Sequence, residues 1–119
     1  MTLDDFKDCI TKIQNKKTYV KQIMSGEYIP IMEKIALLDT AIKNALWDPT
    51  KRYFEYIKFL IHVYTIIDVE PENPFEVYDV MQSTGVLPIL LSEIGEDKIK
   101  EINMLLALET EKIMGESNE

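Results

Sequence analysis

Residues 50–67, TKRYFEYIKFLIHVYTII, set the terms on which this chain can fold. Tyr53, Phe54, Tyr56, Ile57, Phe59, Leu60, Ile61, Val63, Tyr64, Ile66 and Ile67 are aromatic or aliphatic. The polar residues Glu55, Lys58, His62 and Thr65 recur at steps of three, four and three. At about 3.6 residues per helical turn, that spacing draws one narrow polar line along a cylinder that otherwise needs cover. Such a helix is either a buried core element or a membrane span. A span needs about 20 apolar residues with few charges. Glu55, Lys58 and His62 lie inside this stretch, so a core helix is expected, with the polar line as its outward edge.

The rest of the chain supplies the cover. Its 119 residues are 46% hydrophobic, with four Gly and five Pro, which suits one ordered domain. β-branched residues are not gathered in alternating runs, so helix is the default expectation. Thr2 is placed to cap a first helix with Asp4 and Asp5 in its first turn, and Leu3, Phe6, Ile10 and Ile13 share one face. Cys9, beside that face, reads as a small buried hydrophobe. Residues 16–29 read equally as a helical turn or as an extended arm, because Thr18, Tyr19, Val20 and Ile23 favour extended backbone. Pro30 suits a helix start, and Ile31, Ile35, Leu38, Ile42, Ala45 and Leu46 make an apolar stripe ending near Asp48-Pro49. With Thr50 as the cap of the next helix, these two helices should form a hairpin.

Beyond Asp68 the chain breaks at DVEPEN. Asn73, Pro74 and Glu76 announce another helix, and Gly85 should end it in left-handed backbone. Residues 87–94 form a short apolar helix or turn. Glu96 and Asp97 open a last helix, stopped by Gly115 and followed by a tail over 115–119. The expected architecture is all-α: a compact bundle of about five helices around a buried central helix at 50–67. Residues 1–27 are a helix with an extended arm, and 28–114 are the core domain.

Charge is divided unevenly. Residues 1–59 carry ten Lys and Arg against eight acids, and residues 60–119 carry three Lys against thirteen, giving +2 and −10 within the net −8. The acidic half is ill suited to direct nucleic-acid binding, because phosphate contacts need Lys and Arg. Glu70, Glu72, Glu76, Glu93, Glu96, Asp97 and Glu101 are the expected acidic surface. Leu87, Ile89, Leu90, Ile94, Ile99, Ile102 and Leu106 are more apolar surface than one small domain easily covers, and are the expected partner interface.

Catalytic patterns are sparse. Nucleophilic catalysis needs a nucleophile, a base and a group that orients the base. His62 is the one histidine and reads as a boundary residue rather than a base; neither Cys9 nor the serines carry a local signature. Asp68, Glu70 and Glu72, followed by Glu76 and Asp79, span twelve positions as a calcium loop does. Asn73 stands where such a loop turns on Gly, and Asp79 where it needs a bidentate Glu, so the stretch reads as a capped acidic linker. No metal and no cofactor is expected. The lone cysteine argues against an intrachain disulfide, and the acidic opening MTLDDFKDC is unlike a secretory signal.

Three stretches carry a resemblance. They are YIPIMEKIALL at 28–38, the aromatic helix closing in YTIID at 64–68, and VYDV at 77–80 with Gly85-Val86. Together they resemble a group of small acidic helical proteins encoded by tailed phages of Gram-positive bacteria. That group has a Y-I-P/S-x-x-E-K opening, a long aromatic helix and a closing acidic helix. The likeness covers about residues 28–114 and rests on a helix start and two caps. It implies a phage origin, a place in the host cytoplasm or the virion, and no catalytic residue. Residues 1–27 depart from the group's short lead-in. The expected function is non-enzymatic: a structural or assembly component working through protein–protein contacts or self-association. The alternative is an acidic inhibitor that blocks the basic groove of a host nucleic-acid-binding enzyme.

Overall fold

The computed structural model describes residues 1–117. Among them run seven helices: α1 (Leu3–Ile10), α2 (Lys16–Ile23), α3 (Ile31–Lys43), α4 (Pro49–Tyr64), α5 (Pro74–Ser83), α6 (Leu87–Ile94) and α7 (Glu96–Ser117). No strand occurs among the described residues, so the chain is all-α, with two more helices than the five or so expected. Helix α3 packs against α4 and α7, α5 against α4, and α6 against α2 and α7. No helix among the described residues is long and apolar enough to cross a membrane.

The helix ends follow local chemistry. Thr2 Oγ1 accepts from the Asp5 N–H at 3.0 Å while the Asp5 carboxylate accepts from the Thr2 N–H at 3.3 Å, a reciprocal capping box. Asn73 Oδ1 accepts from the Phe75 N–H. At the end of α5, Gly85 has φ +74, the Val86 N–H reaches Met81 O, and the Gly85 N–H reaches Gln82 O. That pair of bonds is a Schellman closure, and it needs the left-handed residue that glycine supplies without strain. Gly115 does not stop the last helix: α7 runs through it to Ser117.

Residues 16–29 are divided between the two conformations expected for them. Asn15 caps α2, which ends at Ile23, and the chain then runs extended. This extended piece is not a free arm. The Ile66 N–H donates to Ile23 O (2.9 Å), the Ser25 N–H donates to Tyr64 O (2.8 Å), and Met24 bridges Thr65. The same pairing shortens the central helix, which ends at Tyr64 rather than 67. Thr65 turns it out: its hydroxyl donates to Ile61 O at 2.6 Å and accepts from the Ile67 N–H at 3.1 Å. The start differs too, since Asp48 rather than Thr50 is the N-cap, with Pro49 as the first helical residue.

One core runs through the molecule. Leu3, Phe6, Ile10, Val20 and Ile23 belong to the same buried cluster as Leu38, Leu60, Ile61, Met81, Leu90 and Ile102. Residues 1–27 therefore share their core with residues 28–114. Backbone ties add to this, for the Asp68 N–H donates to Met1 O at 2.7 Å.

Candidate functional site

Where α3 lies beside α4, a groove of ≈ 200 Å³ opens between them. Leu37, Thr40, Ala41 and Asn44 line one wall; Glu55, Lys58, Phe59 and His62 line the other, and Glu70 reaches in from the α4–α5 loop. Both walls repeat at three, four and seven residues, the spacing that puts side chains on one face of a helix. The polar line of α4 thus turns inward to a groove, where an outward edge was expected. Glu55 and Thr65 are buried, and Lys58 and His62 are half-buried.

Thr65 is satisfied by its bonds to Ile61 and Ile67, but Glu55 is not comparably provided for. It is 7% exposed, and among the described residues its carboxylate has neither a hydrogen-bond nor an ion-pair partner. The groove is what keeps its oxygens within reach of solvent or ligand. His62 Nε2 lies 3.9 Å from Glu70 Oε2, too long for a hydrogen bond, so the histidine is not held as an oriented base. No cluster of three His, Cys, Asp or Glu suited to a metal ion occurs among the described residues, which includes the stretch from Asp68 to Asp79.

A second polar feature joins α3 to α7. Lys34 is buried, and its Nζ donates to Glu101 Oε1 at 2.9 Å while lying 5.4 Å from the centre of the Tyr28 ring. The hydrogen bond to Glu101 raises the Lys34 pKa above its ordinary value, against the opposing effect of burial. Nearby, the Tyr64 hydroxyl is buried with no partner among the described residues, and burial raises its pKa too.

The expected partner interface is corrected. Leu87, Leu90, Ile94 and Ile102 are buried in this chain's own core, and Ile89, Ile99 and Leu106 are partly buried against it. Helix α6 fills the space beside α2 and α7, so its apolar residues are consumed internally. Of the expected acidic surface, Glu70, Glu76, Glu96, Asp97 and Glu101 are exposed, and Glu72 and Glu93 are half-buried. Glu101 is engaged by Lys34, and Glu96 pairs with Lys100 at 2.9 Å.

Exposed apolar surface lies elsewhere, and part of it belongs to the α4 helix expected as core. Phe54 sits 5.0 Å from Phe75 and 4.7 Å from Tyr78, ring centre to ring centre, and Tyr53 lies 5.5 Å from Phe54. Tyr53 is 51% exposed and Phe75 41%, so this four-ring cluster between the first turns of α4 and α5 reaches the surface. The aromatic content was visible in the sequence. Its exposure was not, because it depends on where α5 stops covering α4. The chain matches no known family model, curated protein or solved structure.

Proposed function

We propose that this chain is a non-enzymatic protein-contact module, an assembly or structural component that works by self-association. The four-ring cluster of Tyr53, Phe54, Phe75 and Tyr78 is the observation that carries this reading. Partly exposed aromatic groups at the centre of a patch, with charge around them, are the usual anatomy of a protein interface.

The charge beside the rings is of both signs. Lys51 stands three residues before Phe54 on α4, and Asp79 four residues after Phe75 on α5, so each shares a helix face with a ring. A two-fold axis through the cluster would set Lys51 of one copy against Asp79 of the next. Self-complementarity of that kind is what a symmetric dimer requires. The resemblance to small acidic phage proteins supplies the setting, a component acting in the host cytoplasm or the virion.

Light scattering over a range of concentration and salt tests this. Wild type should associate, and Tyr53→Ser with Phe75→Ser should stay monomeric with unchanged helical circular dichroism. Lys51→Asp and Asp79→Lys should each weaken association, and together should restore it. A wild-type chain that is monomeric at every concentration overturns the self-association reading. The exposed carboxylates Glu70, Glu76 and Asp97 favour one other reading, an acidic inhibitor of a host nucleic-acid-binding enzyme. Salt-sensitive binding of such an enzyme, lost on charge reversal of these three residues, would mark it.

A further inference from the structure

We infer that the groove between α3 and α4 is a socket for one protonated amine on an alkyl stem, held by Glu55. The site is independent of the aromatic cluster and of the assembly role. Its basis is Glu55, a residue only 7% exposed that lines an open groove and whose carboxylate has no partner among the described residues. A ligand that brings a positive charge and its own hydrogen-bond donors satisfies that carboxylate. A bare metal ion does not suit it, because no three ligating side chains converge there among the described residues. An ammonium instead needs acceptors, one for each of its three N–H groups.

Size and lining narrow the class. The groove measures ≈ 200 Å³, below the roughly 300–1,000 Å³ of sites that hold drug-sized molecules. One lysine-like side chain or one small free amine is the scale that fits. Leu37, Ala41 and Phe59 give the alkyl stem an apolar wall, while Thr40 and Asn44 offer oxygens to the ammonium hydrogens that Glu55 does not take. Beyond Glu55 the same groove is lined by one further charge of each sign, Lys58 on the α4 face and Glu70 from the α4–α5 loop. The amine can come free in solution or on a lysine of another protein, and the chemistry at Glu55 is the same for both.

The test is an amide-resonance titration of the full chain with n-butylammonium, n-butanol and acetyl-Gly-Lys-Gly-amide. Butylammonium should perturb Leu37, Thr40, Asn44 and Phe59. The uncharged alcohol should bind at least about tenfold more weakly, the scale of one charged hydrogen bond. Glu55→Gln should weaken butylammonium by a similar factor. Ala41→Leu, which narrows the groove and keeps the carboxylate, should also weaken it, and it serves if Glu55→Gln does not fold. Binding of the peptide but not butylammonium assigns the socket to a partner's lysine; binding of butylammonium but not the peptide assigns it to a free amine. Butanol binding as well as butylammonium, or no response to any amine, overturns the inference.

Discussion

Gly85 shows how much one residue can decide. Its φ of +74 closes α5 and turns the chain so that Val86 is fully buried and α6 can begin at Leu87. A Cβ there would meet nothing closer than Lys16 Nζ at 3.7 Å, an ordinary contact, so the cost of substitution is conformational. Gly85→Ala should lower stability by about 1–2 kcal/mol in urea denaturation. Gly26 has open space around it and no positive φ, so Gly26→Ala should be neutral or stabilising by up to about 1 kcal/mol. Gly85 was readable as a stop because a helical pattern ends on it. Cys9 was misread. It is exposed, one position off the stripe of Leu3, Phe6 and Ile10, and one residue is about 100° on a helix. The hydroxyl of Tyr19 donates to Met1 Sδ at 3.7 Å, and its pKa is pushed up to about 12, by burial first and then by the neighbouring Cys9 thiol.

At the scale of the element, α4 was legible in kind and misjudged at both ends. Its start is set by Asp48 Oδ1, which accepts from the N–H groups of Thr50 and Lys51, each at 3.1 Å. Asp and Thr are both good caps, and Pro at the first helical position favours the residue before it. Asp48→Ala should therefore cost about 1 kcal/mol, and Thr50→Ala markedly less, in the same denaturation assay. The far end could not be found locally, since Ile66 and Ile67 continue the apolar pattern without a break. It is decided by residues 23–25, which take the backbone groups of 64–66 for their own pairing. The groove has the same origin. Its polar wall was visible as Glu55, Lys58 and His62, but the facing stripe of Leu37, Thr40, Ala41 and Asn44 acquires meaning only when α3 is laid beside α4.

At the scale of the whole molecule, the seven helices span 52 × 25 × 20 Å. The radius of gyration is 14.7 Å, a little above the roughly 13–14 Å expected of a rounder domain this size. The 22-residue α7 accounts for much of that length, at about 33 Å for a straight helix. Within this shape residues 1–27 are structural. Truncating one buried large side chain costs about 2–5 kcal/mol, and a domain has only about 5–15 kcal/mol in total. Deleting 1–27 removes Leu3, Phe6, Ile10, Val20 and Ile23 together, so the remainder should lose its cooperative thermal transition and its near-ultraviolet circular dichroism. A cooperative melt in the shortened chain would show that 28–114 is a domain by itself.

The sequence by itself determined what depends on neighbours within a turn or two. That covers the helical class, most helix starts, the left-handed stop at Gly85 and the buried majority of α4. Each follows from 3.6-residue periodicity or from one side chain meeting one backbone group. The tertiary structure alone decided which apolar residues are left over. Helix α6 had an interface composition and became core because α2 and α7 close on it, while Tyr53 and Phe75 had a core composition and stayed at the surface. It also decided that the polar line of α4 meets α3 and leaves Glu55 inside a groove. Burial belongs to pairs of elements distant in sequence, and a local pattern carries no record of which pair will form.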